Sequence, residues 1–297
     1  MRILLTGGSG FIGRNLAEHL SANHEVFAPT HAELDLGDNR AVDVWFRAHE
    51  VDAVVHGAVR PGHRAAQDPS RQLWSNLRMF FNVVRNGDRF GRLVFLSSGA
   101  VYDTRDALVR VAEDRLGVSV PEDEHGLSKY VIARYIEALG PRSRPSVVEL
   151  RLFGVFGKYE EYGVRFISNA ICRTLFDLPI TLRQDRRFSY LFIDDLLPVV
   201  DWALTSATGH AAYNVVPDWT DDLIDLALLV ARRSGTGMPV LVANEGRGKE
   251  YSADNARLKE AWPDMTFTPT DVAVERLYQW YADRRSDLDR ASLEIDR

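Results

Sequence analysis

The chain has 297 residues, of which 45% are hydrophobic and 26% charged, with a formal net charge of −6. This composition is ordinary for a globular protein with a substantial core, and the acidic balance gives no basic field for nucleic acid. No apolar run reaches the ~18 residues of a membrane span, and strand-like sequence begins at Ile3, so we expect no membrane segment and no signal peptide. The single cysteine, Cys172, excludes an internal disulfide and a cysteine-based metal cluster. We therefore expect a cytoplasmic protein without a metal site.

Strand-like apolar runs alternate with helical patterns in the first half of the chain. The predicted strands are 3–5, 25–28, 52–56, 93–96 and 146–150, and the predicted helices are 11–20, 39–49, 70–86 and 126–139. A less regular stretch occupies 99–124. This alternation predicts right-handed crossovers and an α/β fold with a Rossmann-type, doubly wound parallel sheet.

Past residue 155 the alternation loosens, which indicates a smaller C-terminal α/β substrate lobe. The predicted helices there are 164–178, 194–205, 221–233 and 271–283, and the predicted strands are 190–193 and 212–216. We expect a dinucleotide-binding domain at 1–155, to which 188–216 returns. We expect the lobe to comprise 156–187 and 217–290, followed by a frayed tail at 291–297.

A glycine-rich turn, TGGSGFIG at 6–13, joins the first predicted strand to the first predicted helix. Gly7 permits a sharp turn, Gly10 lets a pyrophosphate approach the backbone, and Gly13 lets the helix pack closely on the strand. The start of the helix offers free N–H groups and the positive dipole end to phosphates. A purely structural turn is the alternative to a cofactor site. The predicted cofactor-binding residues here are Gly7, Gly10, Phe11, Ile12, Gly13 and Arg14.

Further motifs follow in order along the chain. They are Asp35-Leu36, HGA at 56–58, Asn76, SSGAVY at 97–102, SKY at 128–130, RLFGVFG at 151–157, RFSYLFIDD at 187–195 and YNV at 213–215. With the glycine turn, they make the sequence resemble the extended short-chain dehydrogenases that act on nucleotide-diphosphate sugars, from residue 3 to about residue 262. The resemblance implies a nicotinamide cofactor that removes or delivers a hydride at a sugar carbon.

The family uses a serine or threonine, a tyrosine and a lysine. By position, Ser98 would hydrogen-bond the reacting sugar oxygen and Lys129 would bind the nicotinamide ribose. Four residues before Lys129, however, His125 stands where the family has tyrosine. Imidazole is a competent acid–base group that titrates near ~6.5 rather than ~10, and a neighbouring ammonium lowers its pKa. We therefore expect His125 to be the catalytic base and, like Lys129, to contact the cofactor; the alternative is a site that has lost or changed its chemistry.

The resemblance also implies weaker assignments. Asp35 and Leu36 would contact the adenine, and Asn76 would lie near the cofactor. Arg187 and Arg247 would grip the diphosphate of the sugar nucleotide, a bidentate task that suits guanidinium, although each is also a plausible partner in a surface ion pair. The predicted substrate-binding residues are Ser98, Gly154, Arg187 and Arg247.

Cofactor type, reaction subtype and assembly are predicted from further details. The end of the second strand, 28–31, has no carboxylate for a ribose 2′-hydroxyl, and Arg14 would suit a 2′-phosphate, so we expect NADP rather than NAD. Gly99 and Ala100 replace the residues that the family's dehydratases and 3,5-epimerising reductases need. A single-carbon epimerase or a 4-ketoreductase remains. The alternatives are a non-catalytic dinucleotide-binding protein and a small-molecule dehydrogenase or reductase. Relatives pair through the helices at 70–86 and 126–139, so we expect a homodimer.

Overall fold

A computed structural model describes residues 1–60, 70–140 and 143–294 of the chain. Its helices are α1 Phe11–Leu20, α2 Asn39–Ala48, α3 Gln72–Val84, α4 Glu124–Leu139, α5 Phe166–Leu175, α6 Ile193–Thr205, α7 Leu223–Ser234, α8 Ala256–Ala261, α9 Thr270–Ala282 and α10 Ala291–Glu294. Its strands are β1 Arg2–Thr6, β2 Glu25–Phe27, β3 Ala53–His56, β4 Arg92–Ser98, β5 Leu108–Val111, β6 Ser146–Leu152, β7 Gly154–Phe156, β8 Ile180–Asp185, β9 Arg187–Phe188, β10 Tyr190–Phe192, β11 Ala212–Val215, β12 Asp221–Asp222, β13 Val240–Arg247 and β14 Tyr251–Ala253.

Six parallel strands form the main sheet in the order β11-β6-β4-β3-β1-β2. The order reverses between β1 and β3, which is the switch point where a doubly wound sheet binds its ligand. The predicted Rossmann-type fold is therefore confirmed. Most predicted elements agree with the observed bounds to within a few residues.

Both faces of this sheet are covered, because neighbouring residues of each strand enter different cores. On β1, Ile3 and Leu5 belong to the core beneath α1 and α6, whereas Leu4 belongs to the core beneath α2, α3 and α4. On β3, Val55 belongs to the core beneath α1 and α6, and Val54 belongs to the core beneath α2, α3 and α4. This alternation explains why the strands read as continuous apolar runs.

Three small sheets lie outside the main one. They pair β10 with β7, β13 with β8, and β14 with both β5 and β9. The predicted strand at 190–193 is thus part of the β7–β10 pair rather than of the main sheet, whereas β11 returns to the main sheet beside β6. The irregular stretch at 99–124 contains β5, a strand that the sequence pattern did not predict.

The end of the chain differs from the expected frayed tail. Residues 291–294 form α10, Leu293 is buried, and the Leu293 carbonyl accepts a hydrogen bond of 2.6 Å from Arg173 Nη1. This part of the tail is therefore docked on α5. Residues 295–297 of that prediction lie outside the described residues.

Within the described ranges, no helix combines the length and the apolar character needed to cross a membrane.

Candidate active site

The glycine turn brings the start of α1 against the end of β1. Gly7 has a φ of +75°, which side chains rarely permit, and its carbonyl accepts a 3.1 Å hydrogen bond from the Gly10 N–H. A Cβ on Gly13 would lie only 2.0 Å from the Gly7 oxygen, so only glycine allows this approach of helix to strand. A Cβ on Gly10 would meet only the Gly7 oxygen, at 3.4 Å, which leaves its other side open.

A cleft of about 940 Å³ opens at this turn. No side chain caps the N-terminus of α1, so its first N–H groups are available to an anion. The cleft runs from the turn to the adenine-side residues of the resemblance, and its lining includes Thr6, Gly7, Ser9, Gly10, Asp35 and Leu36. An uncapped helix start, an open glycine and an elongated cleft fit a dinucleotide.

Other predicted cofactor residues support the cleft from behind. Phe11 and Ile12 pack partly buried against the core below α1. The buried Asn76 accepts a 2.8 Å hydrogen bond from the Arg60 N–H and donates to Ser128 at 3.3 Å, so its amide joins the β3 loop to α4. Asn76 therefore positions these elements in this structure.

The cleft is lined by basic residues other than the predicted Arg14. The Arg14 guanidinium lies 3.8 Å from the centroid of the Tyr159 ring, and the described lining of the cleft does not include Arg14. His31 and Arg40 line the cleft instead. Sequence reasoning missed both, although His31 falls in the segment searched for a carboxylate and Arg40 lies at the start of α2.

The three predicted catalytic residues come from adjacent elements at the carboxyl edge of the main sheet. Ser98 ends β4, and a 3₁₀ turn, Gly99–Tyr102, follows directly. The start of α4 packs on this turn, since a Cβ on Gly126 would lie 2.9 Å from the Ala100 oxygen. Asp123 caps α4 by accepting a 2.8 Å hydrogen bond from the Gly126 N–H. These contacts bring His125 and Lys129 to the end of β4.

Lys129 is buried near the carboxyl end of β4. Its ammonium donates a 3.0 Å hydrogen bond to the Leu96 carbonyl and lies 4.6 Å from the centroid of the Phe95 ring. Burial lowers the pKa of Lys129 to about 8, and the Glu149 carboxylate opposes that shift. The nearby His56 is also buried, hydrogen-bonded to Thr6 at 2.9 Å, and burial and Lys129 lower its pKa to about 3. Of Lys129 and His56, only Lys129 is therefore positively charged at neutral pH.

His125 is partly buried in the first turn of α4. Burial, with smaller contributions from Lys129 and Arg165 and against the opposing effect of Asp123, lowers the pKa of His125 to about 4. Arg165 precedes α5, is exposed, and has no ion pair within the described residues. Arg165 could not be singled out from the sequence, because an exposed arginine in a loop has the pattern of any surface charge. The site therefore holds a neutral imidazole between two cations.

The Ser98 hydroxyl has two neighbours. The Ala100 N–H donates to it at 3.2 Å, and Ser98 also lowers the pKa of Tyr251 on β14. Burial raises the pKa of Tyr251 to about 12, against a smaller lowering by Ser98, while Asp123 adds to the increase. Sequence reasoning missed Tyr251, which lies far from Ser98 along the chain.

A buried polar network supports the site from below. The fully buried Arg151 binds Glu149 at 2.8 Å and donates to the Tyr102 hydroxyl at 2.8 Å. Tyr102 donates in turn to Asn214 at 2.7 Å, and burial raises the pKa of Tyr102. These residues of the 97–102, 151–157 and 213–215 motifs therefore hold β4, β6 and β11 together rather than facing a substrate.

A second cavity, of about 430 Å³, lies on the side of the C-terminal elements. Val164 and Phe166, the neighbours of Arg165, line it together with the basic residues Arg183, Arg186 and Lys249. Its described lining does not include Arg187 or Arg247. Those two arginines share Asp222, at 3.2 Å and 2.7 Å.

Gly154, the remaining predicted substrate residue, packs against an aromatic ring. A Cβ there would lie 2.8 Å from the ring of Tyr190, and its N–H donates to the Ser189 carbonyl at 3.1 Å. Gly154 therefore permits the close pairing of β7 with β10.

The sequence model of the NAD dependent epimerase/dehydratase family matches residues 3–216. That span includes the glycine turn, the cleft, Ser98, His125 and Lys129. The chain belongs to this family, and is thus of the NAD(P)-dependent, extended short-chain dehydrogenase type.

Individual relatives include enzymes of nucleotide-sugar metabolism. The chain is 32% identical over 169 residues to the GDP-L-fucose synthase of Azorhizobium caulinodans, a match that covers 54% of each chain, or about half the length of that relative. It is 24% identical to the UDP-glucose 4-epimerase of Bacillus subtilis, over 87% of this chain and 90% of that protein. Among solved structures, the GDP-mannoheptose C4 reductase of Campylobacter jejuni with NADP bound has a TM-score of 0.81 at 20% identity, and the match covers 94% and 98% of the two chains. That last likeness shows the fold.

Proposed function

We propose that the chain is an NAD(P)-dependent epimerase or 4-ketoreductase that acts on a nucleotide-diphosphate sugar. The observation that carries the proposal is the position of the predicted catalytic residues, Ser98, His125 and Lys129, with respect to two cavities. The dinucleotide cleft opens at the switch point of the sheet, and its lining includes Gly57 and Ala58, which follow β3, the strand beside the one that Ser98 ends. The second cavity is lined by Val164 and Phe166, the chain neighbours of Arg165, and Arg165 acts electrostatically on His125. A cofactor and an anionic substrate would therefore meet at Ser98.

The chemistry of the second cavity supports a diphosphate ligand. Arg183 and Arg186 are exposed and form no ion pairs within the described ranges, so their charges are available to phosphate oxygens. Arg187 and Arg247, in contrast, already neutralise Asp222, and we propose that they bind substrate only after exchanging that carboxylate for phosphate.

In this proposal the bound nicotinamide supplies or accepts the hydride, and the chain handles the proton. Ser98 holds the reacting sugar oxygen by a hydrogen bond. Neutral His125 accepts a proton from a sugar hydroxyl, as a base of lowered pKa does at neutral pH. Lys129 binds the nicotinamide ribose and keeps a positive charge beside the site.

We further propose NADP as the cofactor, a homodimer, and a cytoplasmic location. His31 and Arg40 in the cleft support the first. For the second, α3 and α4 pack side by side, with Phe81 and Tyr135 in edge-to-face contact at 5.0 Å and Trp74 65% exposed on α3. Light scattering at micromolar concentration should give twice the chain mass; a monomer mass would contradict the dimer.

The experiment that tests the function is a thermal-shift screen followed by turnover. We expect NADP to raise the melting temperature, and a nucleoside diphosphate to raise it further, because ligands that bind the folded state stabilise it by mass action. Nucleotide sugars that raise it are then assayed for epimerisation and, as 4-keto forms, for reduction. Arg183→Gln and Arg186→Gln should abolish the shift by the nucleoside diphosphate but leave the NADP shift, whereas Arg232→Gln on α7 is the surface control. If NADP raises the melting temperature but no nucleoside diphosphate does, the proposal is contradicted.

A further inference from the structure

Arg105 joins two segments that lead to the proposed catalytic residues. It lies between the 3₁₀ turn that follows Ser98 and the start of β5. Its Nη2 donates to the Val120 carbonyl at 3.1 Å, and its Nη1 forms an ion pair with Glu122. Both partners immediately precede the N-cap of α4, the helix whose first turn carries His125. The guanidinium therefore connects the segment that leaves Ser98 with the segment that enters α4.

A buried carboxylate fixes the direction of this guanidinium. Asp103 is 3% exposed and accepts hydrogen bonds from Arg105 Nη2 at 2.7 Å and from Nε at 3.0 Å and 3.1 Å. The Arg105 N–H also donates to Asp103, at 3.1 Å. With Val120 and Glu122, the guanidinium has acceptors on two sides, which suits the planar fork of arginine and not the point charge of lysine. A network around a buried carboxylate differs from an isolated surface ion pair, which contributes little.

The Asp103 backbone adopts a conformation that favours glycine. Its φ is +66° and its ψ is 100°, and its N–H donates to the Ala100 carbonyl at 3.3 Å in the turn that follows Ser98. A glycine would adopt this conformation without strain. The chain has an aspartate there, and the carboxylate binds Arg105.

The two segments that the guanidinium joins pack together at the site. Pro121 lies between the two residues that the guanidinium binds, and a Cβ on Gly126 would lie 2.8 Å from the Cβ of Pro121. The same Cβ would lie 2.9 Å from the oxygen of Ala100, whose N–H donates to the Ser98 hydroxyl at 3.2 Å. A shift of this segment would therefore move the start of α4, and His125 with it, relative to Ser98.

A third contact of Arg105 reaches the second cavity. Lys249, which lines that cavity, donates its ammonium to the Arg105 carbonyl. This contact uses the backbone of Arg105, so it survives replacement of the side chain. Loss of the guanidinium should therefore disturb the catalytic residues more than it disturbs binding in the second cavity.

We propose that Arg105 is a positioning residue for the reaction, because its guanidinium fixes the start of α4 against the turn after Ser98 and so places His125 at the reacting sugar oxygen. This inference rests on the proposed function, of which Ser98 and His125 are the catalytic residues. The described lining of the two cavities does not include Arg105, so it acts through the residues that it holds.

The first test compares Arg105→Gln with Arg110→Gln. Arg110 is the matched control, because its side chain is similarly exposed, 56% against 50%, and also pairs with an aspartate, Asp254, at 3.5 Å. We expect Arg105→Gln to lower kcat with a nucleotide sugar by at least ~10-fold, because a misplacement of ~1 Å can cost ~10²-fold. KM for the nucleotide sugar and the affinity for the cofactor should match those of Arg110→Gln. A kcat equal to that of Arg110→Gln would overturn the inference.

A double variant separates positioning from simple neutralisation of the buried carboxylate. Arg105→Gln leaves Asp103 buried without its guanidinium, which should also lower the melting temperature. Asp103→Gly combined with Arg105→Gln removes that carboxylate and relieves the positive φ, so the melting temperature should recover. The kcat of the double variant should stay as low as that of Arg105→Gln. A double variant with the kcat of the wild type would overturn the inference, because Arg105 would then serve only to neutralise Asp103.

Titration of the His125 ring, followed by NMR, tests the same role without turnover. In the wild type, burial and Lys129, opposed by Asp123 and supported by Arg165, lower the pKa of His125 to about 4. A loosened α4 start exposes the ring, so the pKa of His125 should move towards ~6.5 in Arg105→Gln and not in the control. An unchanged pKa of His125 in Arg105→Gln would overturn the inference even in an inactive protein. If this pKa moves but the wild type turns over no nucleotide sugar, the proposed function fails while the positioning of His125 stands.

Discussion

His125 and Lys129 lie one helical turn apart on α4, and the ammonium of Lys129 adds to the effect of burial, which lowers the pKa of His125 to about 4. For a tyrosine at that position, the same ammonium would lower a pKa of ~10 towards neutrality and so improve a proton carrier. For a histidine it moves the pKa away from neutrality. The lowered pKa therefore suits His125 to the proposed role of a base rather than to that of a proton donor.

Replacement of His125 tests its part in proton transfer. We expect His125→Ala to lower turnover by ~10²–10⁴-fold, the usual cost of losing a general base. We expect His125→Tyr to lower it as well, because a longer ring occupies space intended for a substrate placed against imidazole. Steady-state turnover with a nucleotide sugar is the measurement. Higher turnover for His125→Tyr than for the wild type would mean that the site works better with a tyrosine and has lost activity with the histidine. Equal turnover for all three proteins would remove His125 from the mechanism.

The two buried histidines should make the fold sensitive to acid. Their pKa values in the folded protein, about 3 for His56 and about 4 for His125, lie below the ~6.5 of the unfolded chain. The unfolded state therefore binds more protons below pH ~6.5, so the free energy of unfolding falls as the pH falls from there towards 4. Each group contributes up to ~1.4 kcal/mol per pH unit.

Urea denaturation of wild type and His125→Gln between pH 4 and 7 isolates this contribution. The difference in the free energy of unfolding between the two proteins should change by ~1.4 kcal/mol per pH unit below pH 6.5 and stay constant above it. The exposed His210→Gln serves as the control. A difference that does not change with pH would mean that His125 is not held neutral in the folded protein.

Two glycines of the turn should have different roles, Gly10 in cofactor binding and Gly13 in folding. Gly10→Val should abolish cofactor binding while the fold persists, since a Cβ at Gly10 meets only the Gly7 oxygen, at 3.4 Å, and its methyl groups fill the open side. Gly13→Ala should lower the melting temperature instead, because its Cβ would lie 2.0 Å from that oxygen. Calorimetric titration and thermal unfolding measure the two effects. Unchanged cofactor affinity in Gly10→Val would contradict the assignment of the turn.

The fold and much of the site could be predicted from the sequence, because they depend on local pattern. The segment 2–20 reads as a strand, a turn and a helix, because its glycines stand at fixed spacing. β4 ends in two serines at the carboxyl end of the main sheet. Contacts between distant segments could not be predicted. Tyr251 packs against Phe153 because β14 pairs between β5 and β9, and the Arg14 guanidinium lies over the ring of Tyr159, which is far from it along the chain.

The proposed preference for NADP can be tested at Arg40, one of the arginines that line the cleft. Arg40→Gln should weaken NADP binding at least tenfold, or ~1.4 kcal/mol, and leave NAD binding unchanged, because only NADP has the 2′-phosphate. Arg14→Gln is the matched control and should change neither affinity. Fluorescence titration of both cofactors provides the comparison; tighter binding of NAD than of NADP by the wild type would reverse the assignment.

Transfer of a labelled hydride tests the central claim most directly. The protein is incubated with a nucleotide 4-keto sugar and a reduced nicotinamide carrying deuterium at its transferable position, and the sugar is analysed by mass spectrometry. The account predicts one deuterium on a sugar carbon in the wild type. Absence of label from every nucleotide sugar tested, in a protein that binds the cofactor, would contradict it.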